Sequence, residues 1–439
     1  MNQKELSKRR RRFLKSLGNH SVAILATNEV HIRSRDTEYP FRPDNDFYYL
    51  TGFPEPEALA VFIPDRPEGE FILFCQERNP EKEVWTGARI GLEKAKETYD
   101  ANETYAIGRL EELMPSLLEN RTRIYCNLGQ DSITKVVGWI QQVKKKSRDG
   151  IHAPTEIVEL GRILHEHRLI KSSPELKRMR IAAKISAAAH MRAMQVCRPE
   201  MYEYQLEAEL SHEFSLAGAR ANAYAPIVAA GKNACTLHYT DNNGLIKDGD
   251  LVLIDAGCEW DYYAADISRT FPANGKFSEP QRRLYDLVLH AQRVAISEVR
   301  SGKRFDEPHE AAIRVLAKGL VELGWLEGKV SDLVKEEKHK RFYMHRTSHW
   351  LGMDVHDVGE YKVNEKWREL KPGMVLTIEP GIYVPFESEG VPKEYWGIGI
   401  RIEDDCLVTE EDPEVLTKSV PKDPEEIESI MQKSSTLSN

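Results

Sequence analysis

The chain has 439 residues, enough for two or three domains and for a core that needs no disulfide or structural metal. With 41% apolar, 30% charged and 8% aromatic residues it is composed like an ordinary folded soluble protein. The net charge of −9 argues against a nucleic-acid partner, which needs a basic face, and no apolar run reaches the roughly 18 residues of a membrane span, so no membrane partner is expected.

In chain order, Arg10-Arg11-Arg12-Phe13-Leu14-Lys15 matches a twin-arginine export pattern, but the only apolar run behind it, Val22–Ala26, is too short for a signal. The segment reads instead as a basic amphipathic helix with Leu6, Phe13, Leu14 and Leu17 on its apolar side. Val22–Thr27, Phe47–Leu50, Ala58–Pro64, Phe71–Gln76 and Arg123–Asn127 read as strands bounded by Gly, Pro or Asn. Arg109–Asn120 and Ser132–Lys145 carry apolar residues at helical spacing. Together they predict a smaller mixed α/β domain over residues 1–168, with a soft boundary after the charged stretch at Lys144–Gly150.

Ser173-Pro174-Glu175, with Ser173 as N-cap, opens a long helix that Pro199 terminates. Further helices are predicted over Tyr202–Ala217, Glu279–Val299 (capped by Ser278) and Glu307–Leu323. Strands are predicted at Leu251–Ile254, Val375–Ile378 and Ile400–Ile402, so residues 169–439 read as an α+β domain with a frayed tail from Lys433. Cys75, Cys126, Cys197, Cys235, Cys258 and Cys406 are dispersed, with no CxxC pair. They read as reduced thiols of a cytoplasmic protein.

Four acidic side chains close apolar strands in the second half. Asp255 ends Leu251-Val252-Leu253-Ile254, and Asp266 lies in a strand-like segment 11 residues on. A hairpin turning near Glu259–Asp261 would bring the two carboxylates together. Such a pair repels in a low-dielectric site unless a cation offsets it, although single aspartates at strand ends more often make turns or caps. His345, His349 and His356 fall within twelve residues. Glu379 and Glu403 follow the runs at 375–378 and 400–402. Carboxylates plus imidazole, without thiolate, favour hard or borderline divalent ions, and the acids are too many for a single catalytic zinc. They suit two metals sharing carboxylates.

The segments DAGCE…ADISRTFP, MHRTSHWLGMDVHDVG, TIEPGIY and GIGIRIEDD, with EYPFRPDNDFYYLTGFPEPEA at 38–58, resemble the pita-bread metallopeptidase family. Within it the likeness is to the bacterial-type aminopeptidase P (Xaa-Pro aminopeptidase) group. The resemblance implies a pita-bread catalytic domain behind an N-terminal domain. It also implies two divalent ions, Mn²⁺ by family habit, held by Asp255, Asp266, His349, Glu379 and Glu403. The implied substrates are peptides beginning Xaa-Pro, cleaved after the first residue by a metal-bridging hydroxide, with Glu379 as proton shuttle. His238, His345, His356 and Arg401 would act around the reacting bond, and Tyr383, Asp36 and Trp85 would contact substrate. Asp36 would do so within a homo-oligomer, dimer or tetramer. The sequence departs from the pattern at Arg346 and Ser348, where many relatives carry Gly. A prolidase restricted to Xaa-Pro dipeptides, a methionine aminopeptidase and a non-enzymatic binding module of the same fold are the other readings.

Overall fold

The structure, a computed structural model, describes residues 3–437, without side chains at 130, 131 and 434–437. It divides into two compact units, Met1–His167 and Arg168–Asn439. In the first, a six-stranded sheet runs in the order Glu103–Ala106, Phe71–Cys75, Leu59–Phe62, Ser21–Ala26, Arg123–Cys126, Glu156–Glu159. Both pairings of Leu59–Phe62 are antiparallel and the others parallel. Strand side chains alternate between faces, so Val22, Ile24, Val61, Ile72, Phe74 and Ile124 share one core with helices Leu110–Leu118 and Gln130–Lys144. On the other face Phe13, from helix Gln3–Leu17, meets Phe62 edge-on with ring centroids 5.6 Å apart.

Two sequence expectations are corrected here. Residues 47–50 are not a strand but part of helix Asn45–Thr51. Asp44 Oδ1 accepts from the Phe47 N–H at 2.9 Å to start it, and Gly52 at φ 66° ends it. A short apolar run has no period of its own, so its flanking caps decide. The fraying expected from Lys433 meets a helix, Pro424–Leu437, and residues 438–439 lie outside the described residues.

The second unit is α+β. Helices Ser173–Val196 and Glu203–Leu216 pack as one pair, Glu279–Ser297 and Glu307–Glu322 as another. Against them lie three short antiparallel ladders. Leu251–Asp255 sits between Ile227–Ala230 and Ser268–Pro272, Val375–Ile378 pairs with Asp404–Leu407, and Gly381–Val384 pairs with Ile398–Arg401. Thr270 stitches the first ladder to the third, its Oγ1 donating to Arg401 O at 3.1 Å and accepting from Arg401 N–H at 3.2 Å. The long helix begins one residue earlier than expected. Ser172 is its N-cap, because Glu175 reaches back to the Ser172 N–H at 2.9 Å and Pro174 occupies the second helical position.

The hairpin between the two aspartates is also more elaborate than the sequence suggests. Asp255 pairs with Ser268, and the intervening chain makes its own small hairpin, Cys258–Trp260 with Tyr263–Ala264. Asp266 therefore sits in the link between strands, not in one. Gly257 makes this double-back possible: a Cβ there would lie 1.7 Å from Ala265 O. Gly257→Ala should displace the backbone carrying Asp266, lowering stability by about 3 kcal/mol, the upper end of overpacking costs, together with activity. Thermal melting and peptide hydrolysis check it, and a variant with wild-type melting and turnover would show that the link yields freely.

Candidate active site

The ladder ends of the second unit open into a cavity of about 1150 Å³. Its floor is acidic. Asp255 ends one strand, Glu379 follows Ile378, and Glu403 lies between Ile398–Arg401 and Asp404–Leu407. Glu403 is 2% exposed and Asp266 5%. One donor atom each from Asp266, His349 and Glu403 falls within a mutual 4.8 Å. His349 Nε2 is 3.4 Å from Asp266 Oδ2 and 3.8 Å from Glu379 Oε1. Its Nδ1 lies 2.9 Å from Trp350 O, the arrangement in which Nδ1–H donates to a carbonyl and Nε2 is left to face the acids.

Four carboxylates in one partly dry pocket are electrostatically costly. Burial, reinforced by Asp266 and the other acids, pushes the Glu403 carboxyl well above its usual range. Burial likewise takes Glu379 up to about 7. Burial alone would lower His349, but its contact with Asp266 overrides this and raises it to about 9. The protein supplies few cations in return. Arg401, 4% exposed, donates to Asp255 Oδ2 at 2.7 Å, to Ser268 Oγ at 2.8 Å and to Tyr383 Oη at 2.9 Å. A buried set of oxygens and one imidazole that repel each other fits hard or borderline divalent cations and no softer ion.

Around the floor stand the other groups expected from the sequence. His345 Nε2 is 2.8 Å from Tyr383 Oη, its Nδ1 3.5 Å from Glu379 Oε2, and burial takes it down to about 3, so it is a neutral imidazole. His356 is exposed on the cavity wall, ring centroid 4.3 Å from that of His349, and His238 lines the same cavity. Asp36 and Trp85 belong to the first unit. Asp36 is exposed between strands Ile32–Ser34 and Thr37–Glu38, and Trp85 is 87% exposed on helix Pro80–Thr86.

Two contributors escaped the sequence reading. The Tyr224 hydroxyl lies 2.6 Å from both Asp255 Oδ1 and Asp266 Oδ1, with one hydrogen to share between them. Burial and the two acids hold its pKa far above the usual tyrosine value, so it stays a donor. Ser268 relays Arg401 to Glu403, its Oγ donating to Glu403 Oε2 at 2.7 Å. Tyr224 stands in no segment with a charge or spacing signal. Ser268, two residues after Asp266 in ADISRTFP, stands in a segment the sequence did single out.

Residues 177–410 match the model of metallopeptidase family M24, and residues 6–125 match that of the aminopeptidase P N-terminal domain. The chain belongs to metallopeptidase family M24. The enzyme is 43% identical over 434 residues to the Xaa-Pro aminopeptidase of Escherichia coli, covering 98% of each chain. It is 33% identical to human Xaa-Pro aminopeptidase 3, covering 95% of this chain and 82% of that one. Among solved structures, the aminopeptidase PepP of Pseudomonas aeruginosa superposes with TM-score 0.98 at 50% identity, covering 99% of each chain. Aminopeptidase P of E. coli with the inhibitor Pro-Leu superposes with TM-score 0.96 at 42% identity, again covering 99% of each. Among the described residues no helix is long and apolar enough to cross a membrane.

Proposed function

We propose that this M24 enzyme is an Xaa-Pro aminopeptidase, releasing the first residue of peptides with proline second, and that it works with two divalent cations, natively Mn²⁺. The observation that carries the reading is the convergence of Asp255, Asp266, His349, Glu379 and Glu403 on the floor of one cavity. Those five would hold the ions. When bound, the ions would lower the pKa of a water and polarise the scissile carbonyl.

The remaining chemistry belongs to the side chains. Glu379, whose carboxyl sits near neutrality before any cation is bound, would accept the proton of the attacking water and deliver it to the proline nitrogen. That delivery matters because a tertiary amide nitrogen leaves poorly until protonated. His238 and His356, on the cavity wall, would donate to the carbonyl oxygen as it gains charge. Neutral His345, braced by Tyr383 Oη, would flank the proline ring, and Arg401 would hold Asp255 and Tyr383 in place. The acidic floor would take the substrate's free amine, restricting cleavage to the N-terminus.

The same reading has the enzyme in a reducing, cytoplasmic compartment, supported by six free cysteines, and assembled as a dimer or tetramer, with Asp36 serving a neighbour's substrate and Trp85 contacting the substrate's first residue. Sedimentation of the purified enzyme tests the assembly. The activity is tested by dialysing the enzyme against chelator, restoring Mn²⁺, Zn²⁺ or Mg²⁺, and assaying Ala-Pro-Ala beside the dipeptide Ala-Pro. Tripeptide hydrolysis that is lost with metal and restored by Mn²⁺ is expected. Hydrolysis confined to the dipeptide would instead establish a prolidase.

A further inference from the structure

The cavity is acidic at its floor but carries a different charge on its wall. There the hairpin Lys362–Val363/Lys366–Trp367 turns through Asn364 and Glu365, both at positive φ (49° and 65°). Lys362 and Trp367 are cross-strand partners, and the Lys362 Nζ lies 4.5 Å from the Trp367 ring centroid. The Arg346 guanidinium approaches the same ring to 4.9 Å. Phe305 stacks beside it, centroids 6.2 Å apart, and carries Tyr361 at 4.7 Å. The hairpin is tied down through the Phe305 N–H, which donates to Arg368 O at 2.8 Å. A two-stranded ribbon would be mobile alone, but here an aromatic floor holds two cations facing the cavity.

Their lack of a carboxylate partner is what calls for a ligand. Of the lysines and arginines lining the cavity, Arg401 is committed to Asp255. The one lining acid outside the floor cluster, Asp354, is committed to Arg168 at 2.7 Å. Among the described residues neither Arg346 nor Lys362 has a carboxylate within ion-pair distance. Arg346 follows His345 in the chain and lines the same cavity with Lys362, which sets the cations on the wall that also carries the group placed at the proline.

We propose that Arg346 and Lys362 form a carboxylate subsite beyond the proline, favouring substrates Xaa-Pro-Yaa whose third residue presents a carboxylate, from an acidic side chain or a free C-terminus. The inference rests on the Xaa-Pro aminopeptidase reading. It gives the cavity opposite charges for opposite ends of a short peptide, the amine toward the acids and the carboxylate toward the hairpin. Arg346 can grip a carboxylate with two parallel N–H donors, and Lys362 adds a point charge.

The test measures kcat/KM at low ionic strength for two matched pairs, Ala-Pro-Ala against its C-terminal amide, and Ala-Pro-Glu-amide against Ala-Pro-Gln-amide. The first reads a C-terminal carboxylate and the second a side-chain one. Two partly exposed charge contacts predict a preference of about tenfold for the acid in at least one pair. That ratio should collapse toward one in the double variant Arg346→Gln/Lys362→Gln and fall as salt is raised. Taking the ratio within each variant removes any general loss of turnover. All four peptides cleaved equally by the wild-type enzyme, or an acid preference that survives in the double variant, would overturn the subsite and leave the aminopeptidase reading standing. Failure to cleave any Xaa-Pro peptide would overturn both.

Discussion

Glu403→Gln is expected to lower kcat/KM on Xaa-Pro-Yaa peptides by roughly 10³-fold or more, with loss of tightly held metal. If Glu403 helps to hold the ions, its loss removes several kcal/mol of transition-state charge stabilisation, and each ~1.4 kcal/mol is tenfold in rate. The substitution keeps the side-chain volume, so the packing around a 2% exposed position is preserved and the charge alone is removed. In chelator-treated protein the sign should reverse. Glu403 faces Asp266, Glu379 and Asp255, whose repulsion holds its carboxyl far above the usual range after burial itself, so the neutral amide should melt no lower than chelator-treated wild type and is expected above it. A site kept for catalysis at a cost in stability predicts this pair of opposite effects. Metal analysis, melting with and without chelator, and peptide kinetics measure it together. A variant retaining a tenth of wild-type activity would remove Glu403 from the site.

The second large effect is on folding. Arg269 is fully buried, and its five N–H groups find five acceptors: Pro421 O from Nε, Ser268 O and Glu403 O from Nη1, Asp404 Oδ1 and Val420 O from Nη2. Asp404 is just as fully engaged, receiving Thr417 Oγ1 at 2.7 Å, Gln292 Nε2 at 2.7 Å and Lys422 Nζ at 2.6 Å. Arg269→Met leaves a buried carboxylate short of its main partner and removes a donor from four carbonyls, of which Ser268 O keeps the Glu403 N–H at 3.0 Å. The expected cost is about 3–5 kcal/mol, as for other broken buried pairs. For a unit of this size that lowers the melting temperature by roughly 10 °C. Arg269→Lys should rescue little, since an ammonium has three donors and no fork.

The pH dependence follows in sign. Burial opposes ionisation of Asp404, but Arg269 and Lys422 outweigh it and hold the carboxyl well below its ordinary range. The pair's contribution is therefore present above about pH 4, the ordinary aspartate value, and is lost as the pH falls toward the depressed folded one. Wild type should lose stability in that acid window more steeply than Arg269→Met. Equal melting of the two proteins at neutral pH would contradict the network's role. Because Arg269 also ties the Ser268 and Glu403 carbonyls, activity should fall with stability in the variant.

What this chain announces locally is distinct from what it settles by folding. The proposed metal donors stood out because each acid closes an apolar strand or its link and three histidines crowd one short segment, features that survive as sequence pattern. The long helices were legible through their period and caps, with Ser278 capping as expected by accepting the Gln281 N–H and Ser172 displacing Ser173 by one residue. Residues 47–50 were misread because a few apolar residues carry no decisive period.

What the sequence by itself determined is the donor chemistry, the family and the order of the elements, because these depend on residue identity and near-neighbour spacing. Only the tertiary structure decided that Tyr224 shares its proton between Asp255 and Asp266, that Ser268 relays Arg401 to Glu403, and that Arg346 and Lys362 meet over Trp367. Those contacts depend on strand register and on a close approach at Gly257, and distances set by register across many residues leave no periodic trace in the chain.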